Sequence, residues 1–254
     1  MRYFIELSYD GLGYHGWQQQ SNANTVQGVL TNCVSTYLRK EVKLTGCGRT
    51  DTGVHANQFF AHFDVDSAID ESQASFNLNN MLPKDIAIQR IFEVADDLHA
   101  RFSPLSRTYH YYIHQKKNPF IREHSYYFTG QLDLDKMNEG CQMLFEFRDF
   151  TSFSKVNTDT KTNDCEIMEA RWELSSNGIV FIVKANRFLR NMVRALVGTM
   201  IDVGTEKMSV SDFGDVIESK NRGKAGSQFP VTAYFFKRLN SGRARYELGI
   251  RQSI

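Results

Sequence analysis

A short glycine-containing loop offers the clearest chemistry in this sequence. It runs from Gly46 to His55 and contains three glycines together with Arg49 and Asp51. Glycine permits tight turns and the close approach of a ligand, so both charged side chains are expected to project from the loop. An ionised aspartate held in this way can act as a nucleophile or as a base. A neighbouring guanidinium favours the ionised carboxylate and orients it. Alternatively, Asp51 only stabilises its own turn.

The same loop lacks the motifs of nucleotide-binding proteins. No Gly-Lys-Ser/Thr follows the glycines, and the GxGxxG spacing is absent. The four cysteines form no CxxC pair and the seven histidines form no HExxH motif. We therefore expect no metal, no cofactor and no disulfide framework, and we expect reduced thiols in a cytoplasmic protein.

Three arginines form a second candidate group. Arg187, Arg190 and Arg194 have the spacing i, i+3 and i+7 within a helix that the pattern predicts over 187–203. Such spacing places them on one face, beside an apolar stripe. A row of arginines can bind phosphates or fix a carboxylate, but it is equally typical of an ordinary surface helix.

An aromatic strand is predicted from 108 to 113. Tyr109 and Tyr111 share one of its faces, since side chains alternate along a strand. Aromatic rings beside basic residues suit stacking on unpaired bases, although aromatic residues more often belong to a core.

Positive charge is segregated along the chain, although the net charge is only +1. Residues 107–122 and 220–245 contain basic side chains and no acid. This arrangement suits a one-sided phosphate-binding surface, and it also suits solvated loops.

The predicted elements combine hairpins with helices and favour an α+β fold with a largely antiparallel sheet. The predicted strands are 2–8, 42–46, 57–65, 86–94, 108–113, 165–174, 178–186, 231–237 and 244–250. The predicted helices are 25–39, 68–81, 133–146, 187–203 and 209–219. Both halves open with a strand and then a helix, so we divide the chain into residues 1–104 and 105–254. The apolar stretches are too short to span a bilayer, so we expect no membrane association.

Taken together, these segments resemble the transfer-RNA pseudouridine synthase A family. The most specific is Gly48-Arg49-Thr50-Asp51-Thr52-Gly53-Val54-His55-Ala56, which matches the family's signature. Other matches follow the same order as in the family, at 9–11, 14–18, 25–27, 82–86, 99–103, 107–111, 149–153, 188–194 and 197–198. The end of the chain departs from the pattern at 228–230 and 235–238, and its tail is unusually basic.

The resemblance implies a pseudouridine synthase fold of two βαβ-type, ferredoxin-like halves with a joined sheet and a central basic cleft. It also implies a cytoplasmic homodimer that isomerises uridines 38, 39 and 40 in the anticodon stem-loop of transfer RNA. The N-terminal half would carry the catalytic loop, and the C-terminal half would complete the active site.

The family's residue roles carry over to five positions. Asp51 would be the catalytic nucleophile, and Tyr109 would contact the target base. Arg49 and Arg194 would be basic partners near the carboxylate, and Phe188 would bind substrate.

Two other classes of function compete with this interpretation. A non-catalytic RNA-binding or RNA-folding protein would keep its RNA effects after Asp51→Ala, but it has little need of Arg49, Asp51, Tyr109 and Arg194 together. A glycosidase would need a second carboxylate near the first, and the loop offers none.

Overall fold

The computed structural model of this protein describes residues 1–156, 161–227 and 229–230, and the backbone of 234–240. The described residues fall into two compact units. Unit 1 holds Met1–Leu105 and the backbone from Phe235 to Asn240, and unit 2 holds the described residues from Ser106 to Tyr234.

The described strands and helices follow one another in a mixed order. The strands are β1 (Arg2–Tyr9), β2 (Thr45–Gly46), β3 (His55–Asp64), β4 (Ile86–Val94), β5 (Ser106–His114), β6 (Tyr126–Tyr127), β7 (Ile167–Ser175), β8 (Gly178–Ala185) and β9 (Tyr234–Asn240). The helices are α1 (Val26–Leu38), α2 (Glu71–Met81), α3 (Leu134–Met143), α4 (Met192–Gly204) and α5 (Val210–Glu218). Single 3-10 turns occupy Leu144–Glu146, Thr151–Phe153 and Arg222–Lys224. The predicted α+β class is confirmed.

Unit 1 is built on an antiparallel sheet with β1 between β4 and β3. The short strand β2 pairs antiparallel with β3, and β9 adds a parallel pairing at His55 and Ala56. Helix α2 packs on β4, and α1 packs on α2. The predicted helix 25–39 is confirmed as α1: Val26, Leu30 and Val34 are its buried residues, and Thr25 caps its start.

Unit 2 has its own antiparallel sheet in the order β5-β8-β7. The predicted strands 165–174 and 178–186 correspond to β7 and β8, which form a hairpin around Asn177-Gly178: Gly178 has a φ of 143°, and a Cβ there would lie 2.2 Å from the carbonyl oxygen of Ile113. Helix α3 packs on β7, and α4 and α5 pack on α3. Most of α4 is buried, which explains its nearly continuous apolar sequence.

Several predicted boundaries were wrong or fall outside the described residues. The predicted helix 187–203 begins only at Met192, because Asn191 takes a left-handed conformation with a φ of 66°. The predicted strand 42–46 shortens to Thr45–Gly46. The predicted strand 244–250 and positions 231–233 of the strand before it lie outside the described residues.

No helix among the described residues is both long enough and apolar enough to cross a membrane. The functional division into residues 1–104 and 105–254, the joined sheet and the central basic cleft stay predictions.

Candidate active site

The loop that contains Asp51 connects two neighbouring strands of unit 1. Strands β2 and β3 pair at Thr45 with His62 and at Gly46 with Ala61. One further bond, from the amide of Cys47 to the carbonyl oxygen of Phe60 at 2.8 Å, extends this pairing to the start of the loop. The loop is therefore a hairpin connection with both ends fixed in a sheet.

A second segment, which follows β1, holds the loop from the side. The amide of Trp17 donates to the carbonyl oxygen of Thr50 at 3.2 Å. The amide of Gly53 donates to the carbonyl oxygen of Tyr14, also at 3.2 Å. The hydroxyl groups of Tyr9 and Thr50 share a buried hydrogen bond of 2.9 Å. These contacts fix the main chain on both sides of Asp51.

Two glycines in that second segment permit this close approach. Gly16 has a φ of 83°, and a Cβ there would lie 2.3 Å from the carbonyl oxygen of Thr50. A Cβ at Gly11 would lie 2.0 Å from the carbonyl oxygen of Val54. Any larger residue would push the two segments apart, which gives a physical reason for both glycines.

Three buried aromatic side chains support the same region. The rings of Trp17 and Phe59 are 4.2 Å apart, and Tyr9 contacts Phe59 edge-on at 5.6 Å. Aromatic pairs of this kind add to the free energy gained by burying their area. The loop therefore lies on a packed core.

Arg49 and Asp51 differ in their exposure. The side chain of Arg49 is exposed, and that of Asp51 is half-buried. The carbonyl oxygen of Asp51 accepts from the amide of Val54 at 3.1 Å, so the main chain of Asp51 closes a turn. The ion-pairing role predicted for Arg49 stays a prediction.

His55, a buried histidine at the end of the loop, was not among the predicted site residues. The Nδ1 atom of His55 lies 2.9 Å from an oxygen of Asp10 and 3.2 Å from the amide nitrogen of Gly11. Both residues occur within the family-like segments, so their motif positions were the available signal. Their spatial pairing depends on β1 and β3 being neighbours, which no local pattern reveals.

The remaining predicted residues lie in unit 2, where two of them come together. Tyr109 is a buried residue of β5, and its ring meets that of Phe188 edge-on at 5.0 Å. Phe188 precedes α4 and is half-buried. An aromatic pair is therefore present at this point, and its contact with a target base stays a prediction.

Arg194 lies in the first turn of α4 and contacts the chain near its end. Its Nε donates to the carbonyl oxygen of Phe229 at 2.6 Å. The hydroxyl of Tyr111 donates to the carbonyl oxygen of Pro230 at 3.0 Å, and the ring of Tyr126 meets that of Phe229 at 4.9 Å. Burial raises the pKa of Tyr111, so this phenol stays protonated and keeps donating.

The predicted arginine row on one helix face was wrong. Arg187 and Arg190 precede α4, and only Arg194 belongs to the helix. The amide of Met192 donates to the carbonyl oxygen of Leu189, which makes a turn where the pattern predicted a continuous helix. Arg187 instead donates to the carbonyl oxygen of Thr162 at 3.2 Å.

Comparison with known proteins identifies relatives across almost the whole chain. Residues 7–103 and 142–237 match the family model described as tRNA pseudouridine synthase. A protein of Bacteroides thetaiotaomicron named tRNA pseudouridine synthase A is 49% identical over 237 residues, covering 92% of this chain and 88% of that protein. A protein of the same name from Porphyromonas gingivalis is 48% identical, and the match covers 94% of this chain and 96% of that protein. Another from Caldicellulosiruptor bescii is 38% identical, and the match covers 89% of this chain and 93% of that protein. This chain belongs to the tRNA pseudouridine synthase family.

Proposed function

We propose that this chain converts uridine to pseudouridine in transfer RNA, at positions 38, 39 and 40 of the anticodon stem-loop. The observation that carries the proposal is a carboxylate, Asp51, on a loop whose main chain is fixed on both sides, in a member of this family. Relatives named as synthases favour catalysis over the non-catalytic RNA-binding alternative.

The reaction is an isomerisation and leaves the composition of the RNA unchanged. The bond from uracil N1 to C1′ of ribose breaks, the ring turns, and C5 bonds to C1′. C5 loses its proton and N1 gains one, so no oxidant, reductant or external group is consumed. The protein must supply a correctly placed acid–base or nucleophilic group, and it must move the target uracil out of its stack.

We assign the catalytic carboxylate to Asp51. The contacts of Thr50 and Gly53 with the segment after β1 fix the main chain next to it, and this preorganisation favours a reaction that needs a defined geometry. Tyr109 and Phe188 supply aromatic surface for the target ring, and Arg49 and Arg194 supply positive charge near the carboxylate and the phosphates.

We further propose that the active form is a cytoplasmic homodimer whose subunits build a shared path for the RNA. The basic segments 107–122 and 220–245 supply the positive charge that such a path needs. This is the oligomeric state that the family resemblance implies.

Chemical mapping of pseudouridine in an unmodified tRNA transcript tests the proposal. The wild-type protein is expected to introduce pseudouridine at positions 38 to 40, and Asp51→Ala is expected to introduce none while binding the transcript with similar affinity. Asp66→Asn is the matched control, since Asp66 is an exposed carboxylate that pairs with Lys40 outside the loop. Modification by Asp51→Ala would refute the catalytic assignment, and modification only elsewhere in the tRNA would refute the choice of site.

A further inference from the structure

The connection between β5 and β6 carries an unusual combination of side chains. This segment, residues 115–125, is called the 115–125 loop below. It holds Lys116, Lys117 and Arg122, one carboxylate at Glu123, and a phenylalanine at position 120. None of these side chains belongs to the candidate active site, although the three basic ones lie in the segment 107–122 that is proposed above to supply charge to the RNA path.

Both ends of the 115–125 loop are fixed. The Nδ1 of His114 and the hydroxyl of Ser125 are buried and lie 3.0 Å apart. Strand β6 pairs with the end of β5, and the amide of Phe128 donates to the carbonyl oxygen of His114 at 3.0 Å. The side-chain amide of Gln115 donates to the carbonyl oxygen of Gly130 at 2.9 Å. The loop therefore starts and ends at defined places on unit 2.

The tip of the loop presents an aromatic ring to solvent. The amide of Phe120 donates to the side-chain oxygen of Asn118 at 3.0 Å, which forms a tight turn around Pro119. The side chain of Phe120 is 92% exposed, the largest exposure of any large hydrophobic residue in the described part of the chain. Burying such a ring would contribute free energy that folding does not gain here.

The basic side chains of the same loop are exposed as well. Lys116, Lys117 and Arg122 are all exposed. Arg122 pairs with Glu123 at 2.9 Å, and with side-chain exposures of 73% and 41% this pair contributes little to stability. The 115–125 loop therefore exposes positive charge as well as an aromatic ring.

This combination fits nucleic acid better than a protein core or a protein partner. A single exposed phenylalanine is unremarkable alone, because folded proteins expose many apolar atoms. An exposed ring on a short loop that also exposes three basic side chains is different, since a ring can stack on an unpaired base while the basic side chains contact the flanking phosphates. An apolar protein partner would instead favour a depletion of charge around the ring.

We propose that the 115–125 loop is an RNA contact in which Phe120 stacks on an unpaired base and Lys116, Lys117 and Arg122 bind the phosphates beside it. The partner is the transfer RNA of the reaction, so this inference rests on the proposed function. It assigns the loop to substrate affinity and gives it no part in the chemical step.

Equilibrium binding of a full-length tRNA transcript to three variants tests the stacking contact. Phe120→Ala is expected to raise Kd about 5- to 150-fold, which is the range for the loss of one stacked base. Phe120→Trp is expected to stay close to wild type because it keeps a stacking surface. Phe120→Leu is expected to behave like Phe120→Ala, because leucine is apolar but offers no flat ring.

The dependence of Kd on salt tests the phosphate contacts. A double variant with Lys116→Ala and Lys117→Ala is expected to reduce the slope of log Kd against log salt by about 0.7 to 0.9 for each phosphate that the protein no longer neutralises. Phe120→Ala is expected to leave that slope unchanged, because the ring carries no charge.

Phe76 provides a matched control. It is 64% exposed, and it lies on α2, whose sequence contains no Lys or Arg. Phe76→Ala is expected to bind tRNA like the wild type. At saturating tRNA, Phe120→Ala is expected to keep the wild-type kcat and to differ only in KM.

Three results would overturn the proposal. The first is a Kd for Phe120→Ala within twofold of wild type. The second is a Phe120→Leu variant that binds as tightly as Phe120→Trp, which indicates apolar docking. The third is a molar mass of Phe120→Ala, measured by light scattering, that differs from that of the wild type, because such a change indicates that Phe120 contacts a second copy of the chain. The proposed function fails separately, if the wild-type protein makes no pseudouridine in a transcript that it binds.

Discussion

The hydroxyl pair of Tyr9 and Thr50 shows how single residues fix the candidate catalytic loop. Their hydrogen bond is buried and joins β1 directly to the residue before Asp51. The amide of Trp17 and the carbonyl oxygen of Thr50 add a main-chain bond at the same residue. Thr50 is therefore held by its side chain and by its main chain, and Asp51 follows it on a fixed segment.

Tyr9→Phe is expected to reduce both stability and catalysis. The change leaves the buried hydroxyl of Thr50 without this partner, which costs about 1 to 3 kcal/mol of the free energy of unfolding. Because the loop is also less well fixed, kcat is expected to fall while Kd for tRNA changes little. Urea unfolding and steady-state kinetics measure the two effects.

Tyr3→Phe is the control for this change. Tyr3 lies on the same strand, and its hydroxyl accepts from the amide of Ile69 at 3.3 Å, away from the loop. It is expected to lose stability without losing kcat. Equal losses of kcat in the two variants would show that Tyr9 acts through general stability alone.

Local sequence patterns identified the loop but could not reveal what holds it. The glycines around Asp51 and the family-like signature predicted its position and the identity of the carboxylate. The contacts with Tyr9, Tyr14 and Trp17 join residues 33 to 41 positions apart in the chain, and they exist only once β1 and β3 are neighbours. For the same reason the pairing of His55 with Asp10 was missed.

At the scale of elements, periodicity predicted most strands and helices and failed where one residue changed the backbone. Strands β7 and β8 and helix α1 were predicted close to their observed bounds. The start of α4 was not, because the left-handed conformation of Asn191 interrupts a sequence that is helical in composition on both sides. A three-arginine face was therefore predicted where only Arg194 is helical.

In helix α4, the lack of a side chain at Gly198 allows a neighbouring segment to lie close to the helix. A Cβ at Gly198 would lie 1.8 Å from the carbonyl oxygen of Ser227. The same segment continues to Phe229 and Pro230, which accept hydrogen bonds from Arg194 and Tyr111. The close approach at Gly198 is therefore coupled to the contacts made by Arg194.

Gly198→Ala is expected to destabilise the protein although alanine favours helices. The gain in helix propensity is up to ~1 kcal/mol, and the overlap with the main chain of Ser227 is expected to exceed it, for a net loss of about 1 to 3 kcal/mol. Thermal unfolding monitored by circular dichroism measures the change.

Gly140→Ala provides the comparison for this helix glycine. Gly140 lies inside α3, where an added Cβ would meet the ring of Phe213 at an ordinary contact distance of 3.7 Å. This variant is expected to be as stable as the wild type or slightly more stable. A stabilising Gly198→Ala would contradict the assigned packing.

At the scale of the whole molecule, the family relationship links candidate site residues from different segments, and no single segment predicts that link. The catalytic carboxylate is assigned to unit 1, and the aromatic pair and Arg194 belong to unit 2. The resemblance in sequence predicts that both halves contribute to one active site, because ordered motifs occur in both of them. Local physical reasoning alone does not lead to this prediction, since each motif by itself also suits a turn, a core or a surface helix.

Stability is expected to depend on pH through one buried histidine. Burial lowers the pKa of His62 from its ordinary value of 6.5 to about 4, and the positive charges of Arg2 and His99 add to the effect while Asp64 opposes it. His62 is neutral in the folded protein and accepts from the amide of Ala100. The unfolded chain therefore binds the additional proton as pH falls from about 6.5 to about 4.

The free energy of unfolding is expected to fall by roughly 2 to 3 kcal/mol across that window from this group alone. His62→Gln keeps an acceptor for Ala100 but cannot titrate, so its stability is expected to fall less steeply. Urea unfolding at pH 7, 6 and 5 compares the two proteins. Equal slopes would show that His62 does not contribute.

The central claim is that this chain forms a bond between C5 and C1′ of uridine in transfer RNA by means of Asp51. Release of tritium from a tRNA transcript labelled at C5 of uridine measures it most directly, because that bond cannot form unless C5 loses its hydrogen. The wild-type protein is expected to release tritium until the target uridines are converted, and Asp51→Asn, which keeps the shape of the side chain, is expected to release none above background. Release by Asp51→Asn at the wild-type rate, or no release by the wild-type protein, would contradict the account.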